Sequence, residues 1–287
     1  MRSFVIFVLS LTVVFACGCS SRLYDVTATP RPAPAAPRKI AVDGNDFAIL
    51  AGDERSRGVF VLDARGVVVR SFSISQYDVD LVVDPASGAI YTAYARGKVG
   101  ALEKWSPGGK QLATISLPLP ALALSNLLDG VGYVLAGNDD VRVAIAYDAA
   151  RVRLGRTVAL PRGVASIAQA SRDELAYISP TSGNLEFKNT RSGELRVTKV
   201  PGDSVTCSFP DKRCFVLNGP RGARAVEIVD TTTNLLYAQL PAIRGTSGLA
   251  VDETGSLAIV GGDARVGSFE TFSSDAIGHA GLKGSGP

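Results

Sequence analysis

The chain has 287 residues, of which 46% are hydrophobic and 20% charged, with a formal net charge of +3. A balance so close to neutral implies no nucleic acid or other polyanion as a partner. A lone histidine, His279, argues against a His-dependent triad or a His-rich metal site, and the length is ample for a large buried core.

The first segment reads as a leader. Met1-Arg2 supplies a positive end, and residues 3–16 form an apolar run too short for a helix spanning a bilayer, which needs about 20 residues. Ala16-Cys17-Gly18-Cys19-Ser20-Ser21 follows. Small residues directly before a Cys resemble the lipobox of bacterial lipoproteins. That resemblance implies cleavage after residue 18 and a diacylglycerol on the Cys19 thiol, with Cys17, after Val14-Phe15-Ala16, as the second choice. It also implies an exported protein whose N-terminus is held in a cell membrane or outer membrane. Residues 19–38, with Pro30, Pro32, Pro34 and Pro37 among Ala and Arg, read as a Pro-rich tether.

Residues 39–287 carry an internal repeat. Leu249-Ala250-Val251-Asp252, a Gly turn and Leu257-Ala258-Ile259-Val260-Gly261-Gly262 make a strand, a turn and a second strand. Ile40-Ala41-Val42-Asp43 with Phe47-Ala48-Ile49-Leu50-Ala51-Gly52, and Leu81-Val82-Val83-Asp84 with Ala89-Ile90-Tyr91-Thr92-Ala93, are the same unit. A later polar turn returns at Asp63, Ser106, Asp148, Thr190, Asp230 and Thr271. A closing aliphatic-Pro pair returns at Leu117-Pro118, Leu160-Pro161, Val200-Pro201 and Leu240-Pro241. Both recur at steps of about 40 to 43 residues, and each unit reads as four short strands, in the second unit over 81–83, 89–93, 99–105 and 111–117.

Four-stranded units at this period predict an all-β fold, a six-bladed β-propeller of antiparallel blades. The blades fall near 40–76, 79–119, 122–162, 164–202, 204–242 and 246–285. The last unit has a weak fourth strand at the Gly-rich Ile277-Gly278-His279-Ala280-Gly281, so residues 23–27 are the candidate to complete it from the other end of the chain. The units resemble NHL-repeat and YncE-like propellers in their apolar-apolar-Val-Asp strand, Gly turn and Tyr-x-Ala strand. WD40 and quinoprotein-type signatures are absent.

Little reactive chemistry stands out. Cys207 and Cys214 flank Pro210-Asp211, which suits the centre of a type I turn, so the two face each other across a hairpin. In an exported protein they predict a disulfide. An ideal two-residue turn would put them at a hydrogen-bonded position, where side chains lie farther apart. Asp43-Gly44-Asn45-Asp46 and Asn138-Asp139-Asp140 read as turns rather than metal sites, and no metal or cofactor is assigned.

By analogy with propellers, blade-to-blade loops share one rim with the turns between second and third strands. That rim gathers Arg55, Arg57, Tyr77, Arg96, Lys98, Asp140, Arg162, Arg221, Arg224, Arg244 and Arg265, enough arginine to hold a carboxylate, a phosphate or an acidic peptide. The reading is a lipid-anchored, non-enzymatic binding or scaffold protein of the cell envelope, with a protein or cell-wall partner. The alternative is a metal-dependent lactonase- or esterase-like, or lyase-like, propeller enzyme.

Overall fold

A computed structural model describes residues 30–282, apart from Glu54 and residues 221–223. The leader, Cys17, Cys19 and the proposed closing strand at 23–27 lie outside the described residues.

The described chain opens with β1 (Arg31–Ala33). Blade 1 comprises β2 (Pro37–Asp43), β3 (Asp46–Gly52), β4 (Arg57–Leu62) and β5 (Val68–Ile74). Blade 2 comprises β6 (Asp78–Asp84), β7 (Ala89–Arg96), β8 (Val99–Trp105) and β9 (Gln111–Leu117). Blade 3 comprises β10 (Ala121–Leu124), β11 (Val131–Gly137), β12 (Arg142–Asp148) and β13 (Arg153–Leu160). Blade 4 comprises β14 (Ile167–Ser171), β15 (Glu174–Ile178), β16 (Asn184–Asn189) and β17 (Leu195–Pro201). Blade 5 comprises β18 (Ser204–Ser208), β19 (Arg213–Asn218), β20 (Ala225–Asp230) and β21 (Leu235–Pro241). Blade 6 takes β22 (Thr246–Val251), β23 (Leu257–Gly262) and β24 (Gly267–Phe272), and its fourth strand is β1. The helix α1 (Ser274–Leu282) follows. The protein is thus an all-β, six-bladed propeller of four-stranded antiparallel blades.

Burial follows strand position. Second strands such as β3 and β11 are buried along nearly their whole length, because neighbouring blades cover both faces. Their sequences are accordingly unbroken apolar runs, Phe47-Ala48-Ile49-Leu50-Ala51 and Tyr133-Val134-Leu135-Ala136. The fourth strands β5, β9 and β17 alternate, one face packed and one in water. Six apolar clusters result, each spanning one blade seam, and the cluster of Ile40, Ile49 and Leu62 with Val260 and Phe269 joins blade 6 to blade 1 and closes the ring.

The strand that closes blade 6 corrects the sequence expectation. Arg31, Pro32 and Ala33, inside the segment read as tether, pair with Phe269, Ser268 and Gly267. Proline is tolerated here because β1 is an edge strand, with no further neighbour to receive an N–H. Arg31 secures it by donating to the Ala64 carbonyl and the Thr271 hydroxyl, and its guanidinium lies 5.1 Å from the Phe269 ring centroid. Gly267 is needed for close approach, since a Cβ there would fall 2.0 Å from the Pro34 carbonyl oxygen.

The Gly-rich stretch expected as a weak strand is instead part of α1. Ser273 caps it, its hydroxyl accepting the Ala276 amide at 3.2 Å, and Asp275 sits in the first turn, where the helix dipole favours an anion. Ile277 is fully buried in the seam between blades 5 and 6, and His279 is exposed.

Cys207 and Cys214 form a disulfide between directly opposed residues of β18 and β19. Their Cα atoms are 4.0 Å apart, the close spacing of a non-hydrogen-bonded pair and not the wider one derived from a two-residue turn. The difference lies in the loop: Ser208 pairs with Arg213, and residues 209–212 form a four-residue connection with Lys212 at φ 50°.

Backbone hydrogen bonds sort the loops into two faces. Turns after first strands bond turns after third strands, as in the Ala149 amide to the Gly130 carbonyl, 2.8 Å, and the Thr190 amide to the Asp173 carbonyl, 2.7 Å. This is the turn face. Blade-to-blade loops bond turns after second strands, as in the Ala242 amide to the Arg224 carbonyl, 3.3 Å, and the Gly202 amide to the Gly183 carbonyl, 3.0 Å. This is the crossover face.

Candidate functional site

The first strands enclose an axial cavity of about 980 Å³. Its walls are backbone and aliphatic side chains such as Val42, Val83, Leu127, Leu249 and Val251. At the crossover end it is lined only by strand starts, where Lys39 meets Asp80 at 3.7 Å and the Ser166 and Ser204 hydroxyls stand 3.5 Å apart. Asp80 is also spent on the fold, accepting the Leu81 and Leu124 amides at 2.9 Å each. At the other end the lining runs out into the turns, at Asn45, Pro85, Asp129, Pro210 and Asp252, so the mouth lies on the turn face.

Asn126 stands in this cavity and bridges three blades. Its Nδ2 donates to the Gln169 carbonyl at 3.1 Å and the Cys207 carbonyl at 3.2 Å, while its Oδ1 accepts the Gln169 amide at 2.7 Å. The carboxylates at the mouth are occupied by their own turns. Asp84 accepts the Ser87 hydroxyl at 2.5 Å and the Ala86 amide at 3.2 Å. Asp252 accepts the Thr254 and Ser256 amides at 2.8 Å each. Asp129 meets Arg172 at 2.6 Å. Among the described residues no group of three His, Cys, Asp or Glu is placed to hold a metal ion.

The recurrent turn acids follow the same logic in the turns after third strands. Asp63 Oδ1 accepts the Arg65 and Val67 amides at 2.9 Å each, and Asp148 Oδ1 accepts the Arg151 amide at 2.8 Å. These backbone donors, Val67 foremost for Asp63 and Arg151 for Asp148, hold both carboxyls below the usual carboxylate range. In blade 4 the equivalent cap is Asn189, one residue before Thr190, with its Oδ1 accepting the Arg191 and Ser192 amides at 2.9 Å each.

The arginine-rich rim read from the sequence maps to the crossover face, away from the cavity mouth. Its members are largely committed there. Arg57 is buried and donates to the Asp78 carbonyl across the seam between blades 1 and 2. Arg224 reaches Asp203 at 2.6 Å and the Thr246 carbonyl at 3.0 Å, clamping blade 5 to the loops on either side. Arg162 faces Asp140 at 3.6 Å. Arg96 lies 5.1 Å from the Tyr77 ring centroid, and that ring meets Tyr94 edge-on at 5.9 Å. Arg55, Lys98 and Arg265 are exposed, Arg244 lies near Asp263, and Arg221 lies outside the described residues.

Beneath this rim Asp78 is fully buried. Burial pushes its carboxyl up to about 7, with Glu103 adding to the rise and the Thr92 hydroxyl and Arg57 opposing it.

Residues that sequence reasoning passed over are Asn126, Gln169, Arg156, Arg172 and Arg191. The last four line a second cleft of about 390 Å³ at the turn-face end of the seam between blades 3 and 4. One signal was available: Arg172 follows Asp129 by one blade period, which stacks a cation and an anion on neighbouring blades.

No protein-family profile matches the chain, and no curated protein matches it. Solved structures do. The WD40 repeats of RRP9 align at TM-score 0.61 with 10% identity, covering 85% of this chain and 99% of that one. Hydrazine synthase of Kuenenia stuttgartiensis aligns at TM-score 0.59 with 13% identity, over 84% of each chain. The WD40 domain of coronin from Toxoplasma gondii aligns at TM-score 0.55 with 16% identity, covering 86% and 75%. At such identities the likeness is one of fold: this chain is similar to WD40-type β-propellers.

Proposed function

We propose that the protein is an exported, lipid-anchored β-propeller that works by binding, and that it takes a segment of a protein partner at the turn-face mouth of its axial cavity. The observation that carries this is the cavity itself. It opens among the turns of one face, and the groups that would do chemistry in its wall, Lys39, Asp80, Asn126, Ser166 and Asp252, are already engaged within the fold. What remains for a ligand is shape, aliphatic surface and turn backbone, which suits recognition. The apolar-apolar-Val-Asp units support an NHL- or YncE-like kinship, and Gly18-Cys19-Ser20 supports lipidation at the cell membrane or outer membrane. A lactonase-, esterase- or lyase-like reading needs convergent ligands or bases on the axis, whereas Asp84, Asp129 and Asp252 each serve their own turn or a neighbouring arginine.

The test is partner recovery with full-length lipidated protein from detergent-solubilised membranes. Leu127→Asp and Phe209→Asp alter the mouth; Arg55→Ala and Arg265→Ala alter the crossover rim. Loss of a defined partner only in the mouth variants is the expected outcome, and loss only in the rim variants would overturn it. Labelling with radioactive palmitate is expected to disappear in Cys19→Ala; label that persists until Cys17 is also replaced would move the anchor.

A further inference from the structure

The seam cleft on the turn face is built around cations. Arg156 is anchored by its Nε and Nη2 on the Tyr133 hydroxyl, 3.1 and 2.9 Å, with Asp173 3.6 Å away. Arg172 donates from Nε to Asp129 at 2.6 Å, and Arg191 places its Nε 2.7 Å from the same Asp173. Three arginines therefore share two carboxylates, a surplus of one positive charge. Arg172 and Arg191, the more exposed of the three, are held through Nε, and their Nη groups make no hydrogen bond among the described residues. A guanidinium so held presents its terminal fork outward, the geometry that grips a carboxylate with two parallel bonds.

A second observation comes from the cleft wall. Gln169 is 2% exposed, and its Oε1 is buried without a hydrogen-bond partner. Its backbone is fully used, the amide and carbonyl both bonded to Asn126. A buried amide oxygen left unpaired is unfavourable, and Gln169 is part of the cleft lining. Leu128, Val131 and Ala146 supply the apolar part of the lining.

From this geometry we infer a binding subsite for the C-terminal residue of a peptide. Its free carboxylate sits on the Arg172 and Arg191 forks, its backbone N–H donates to Gln169 Oε1, and its side chain lies against Leu128 and Val131. An inorganic anion satisfies the arginines but brings no donor for Gln169; a C-terminal residue brings both, a few atoms apart. Leu128 and Asp129 line this cleft and the axial mouth alike, so the inference deepens the binding reading and rests on it.

Calorimetric titration with the tripeptide acid Ac-Gly-Ala-Leu and with its C-terminal amide tests it. The acid is expected to bind at least about tenfold more tightly than the amide, a margin of about 1.4 kcal/mol. Arg172→Gln/Arg191→Gln removes that preference. Gln169→Leu weakens the acid while leaving competition by inorganic phosphate intact. Equal binding of acid and amide, or displacement of neither by the arginine substitutions, would overturn the proposal. So would a cleft that binds phosphate and not the peptide acid. Near-native melting of each variant shows that it folds. A partner recovered equally by wild type and Arg172→Gln/Arg191→Gln would remove this subsite while leaving the axial-mouth reading in place.

Discussion

Tyr91 and Tyr147 offer a test of the seam between blades 2 and 3 in which the same substitution has opposite signs. Both rings are fully buried in one apolar cluster, with centroids 5.5 Å apart. The Tyr91 hydroxyl donates to the Ala149 carbonyl at 2.5 Å. The Tyr147 hydroxyl is buried with no hydrogen-bond partner among the described residues, held over Gly132 so closely that a Cβ there would fall 2.6 Å from it. A buried donor left unmade costs about 1–3 kcal/mol, and removing it along with its desolvation penalty is neutral to stabilising. Tyr147→Phe is therefore expected to raise stability by about 1 kcal/mol, after allowance for the small void left by the oxygen. Tyr91→Phe is expected to lower it by about 1 kcal/mol and not more, because Lys104 Nζ still donates to the Ala149 carbonyl at 2.9 Å. The two variants then differ by about 2 kcal/mol, or roughly 4–8 °C in Tm for a chain of this size. Urea unfolding at unchanged m-value measures it directly. If Tyr147→Phe loses as much as Tyr91→Phe, the Tyr147 hydroxyl is satisfied by an ordered water and the reasoning fails.

Three further outcomes follow from the same structure. Replacing both Cys207 and Cys214 by Ala opens a loop of about eight residues and is expected to lower stability by roughly 2–3 kcal/mol, matched by wild type in reductant; identical urea curves with and without reductant would contradict it. Asn126→Ala strips the Gln169 amide and two carbonyls of their partner and is expected to cost about 2 kcal/mol in the same assay, with Asn126→Asp failing to restore it because the carboxylate cannot donate to those carbonyls. Asp78 carries a folded-state pKa of about 7, above its unfolded value, so its contribution is fully present below the unfolded pKa and is lost as pH rises through the folded one. The stability of wild type relative to Asp78→Asn should thus fall from about pH 4 to about pH 7 and then level off; a difference that rises over that window would refute the burial argument.

The fold was legible because it is written in repeats. A second strand buried on both faces must be an unbroken apolar run, and a fourth strand at the edge must alternate, so the order of strands within a blade appears in the residues themselves. The third and fourth strands of blade 2, read as 99–105 and 111–117, have those bounds in the structure. What was not legible was local competition between forms. Ser273 with Asp275 makes a helix start, but the blade pattern favoured reading Ile277 as a strand residue. Residues 31–33 looked like linker because three prolines flank or occupy them; an edge strand tolerates what a central strand does not. Cys207 and Cys214 pair as read, but the four-residue connection 209–212, with Lys212 at positive φ, places them at the closer, non-hydrogen-bonded position.

The candidate site eluded sequence reading for a deeper reason. A period assigns each residue to a face, and on that basis the crossover rim and its arginines were the natural choice. Which face a cavity opens on depends on what fills the ring at each end, and that is set by side chains from different blades meeting across the axis, as Lys39 meets Asp80 and Ser166 meets Ser204. The turn face is also where the repeat breaks. β10 has only four residues, because the chain turns inward after Leu124 so that Asn126 reaches blades 4 and 5. The same inward turn brings Leu127 and Leu128 to the mouth and sets Asp129 against Arg172 at the head of the second cleft. One departure from regularity thus ties three blades together and shapes both the axial mouth and the seam cleft.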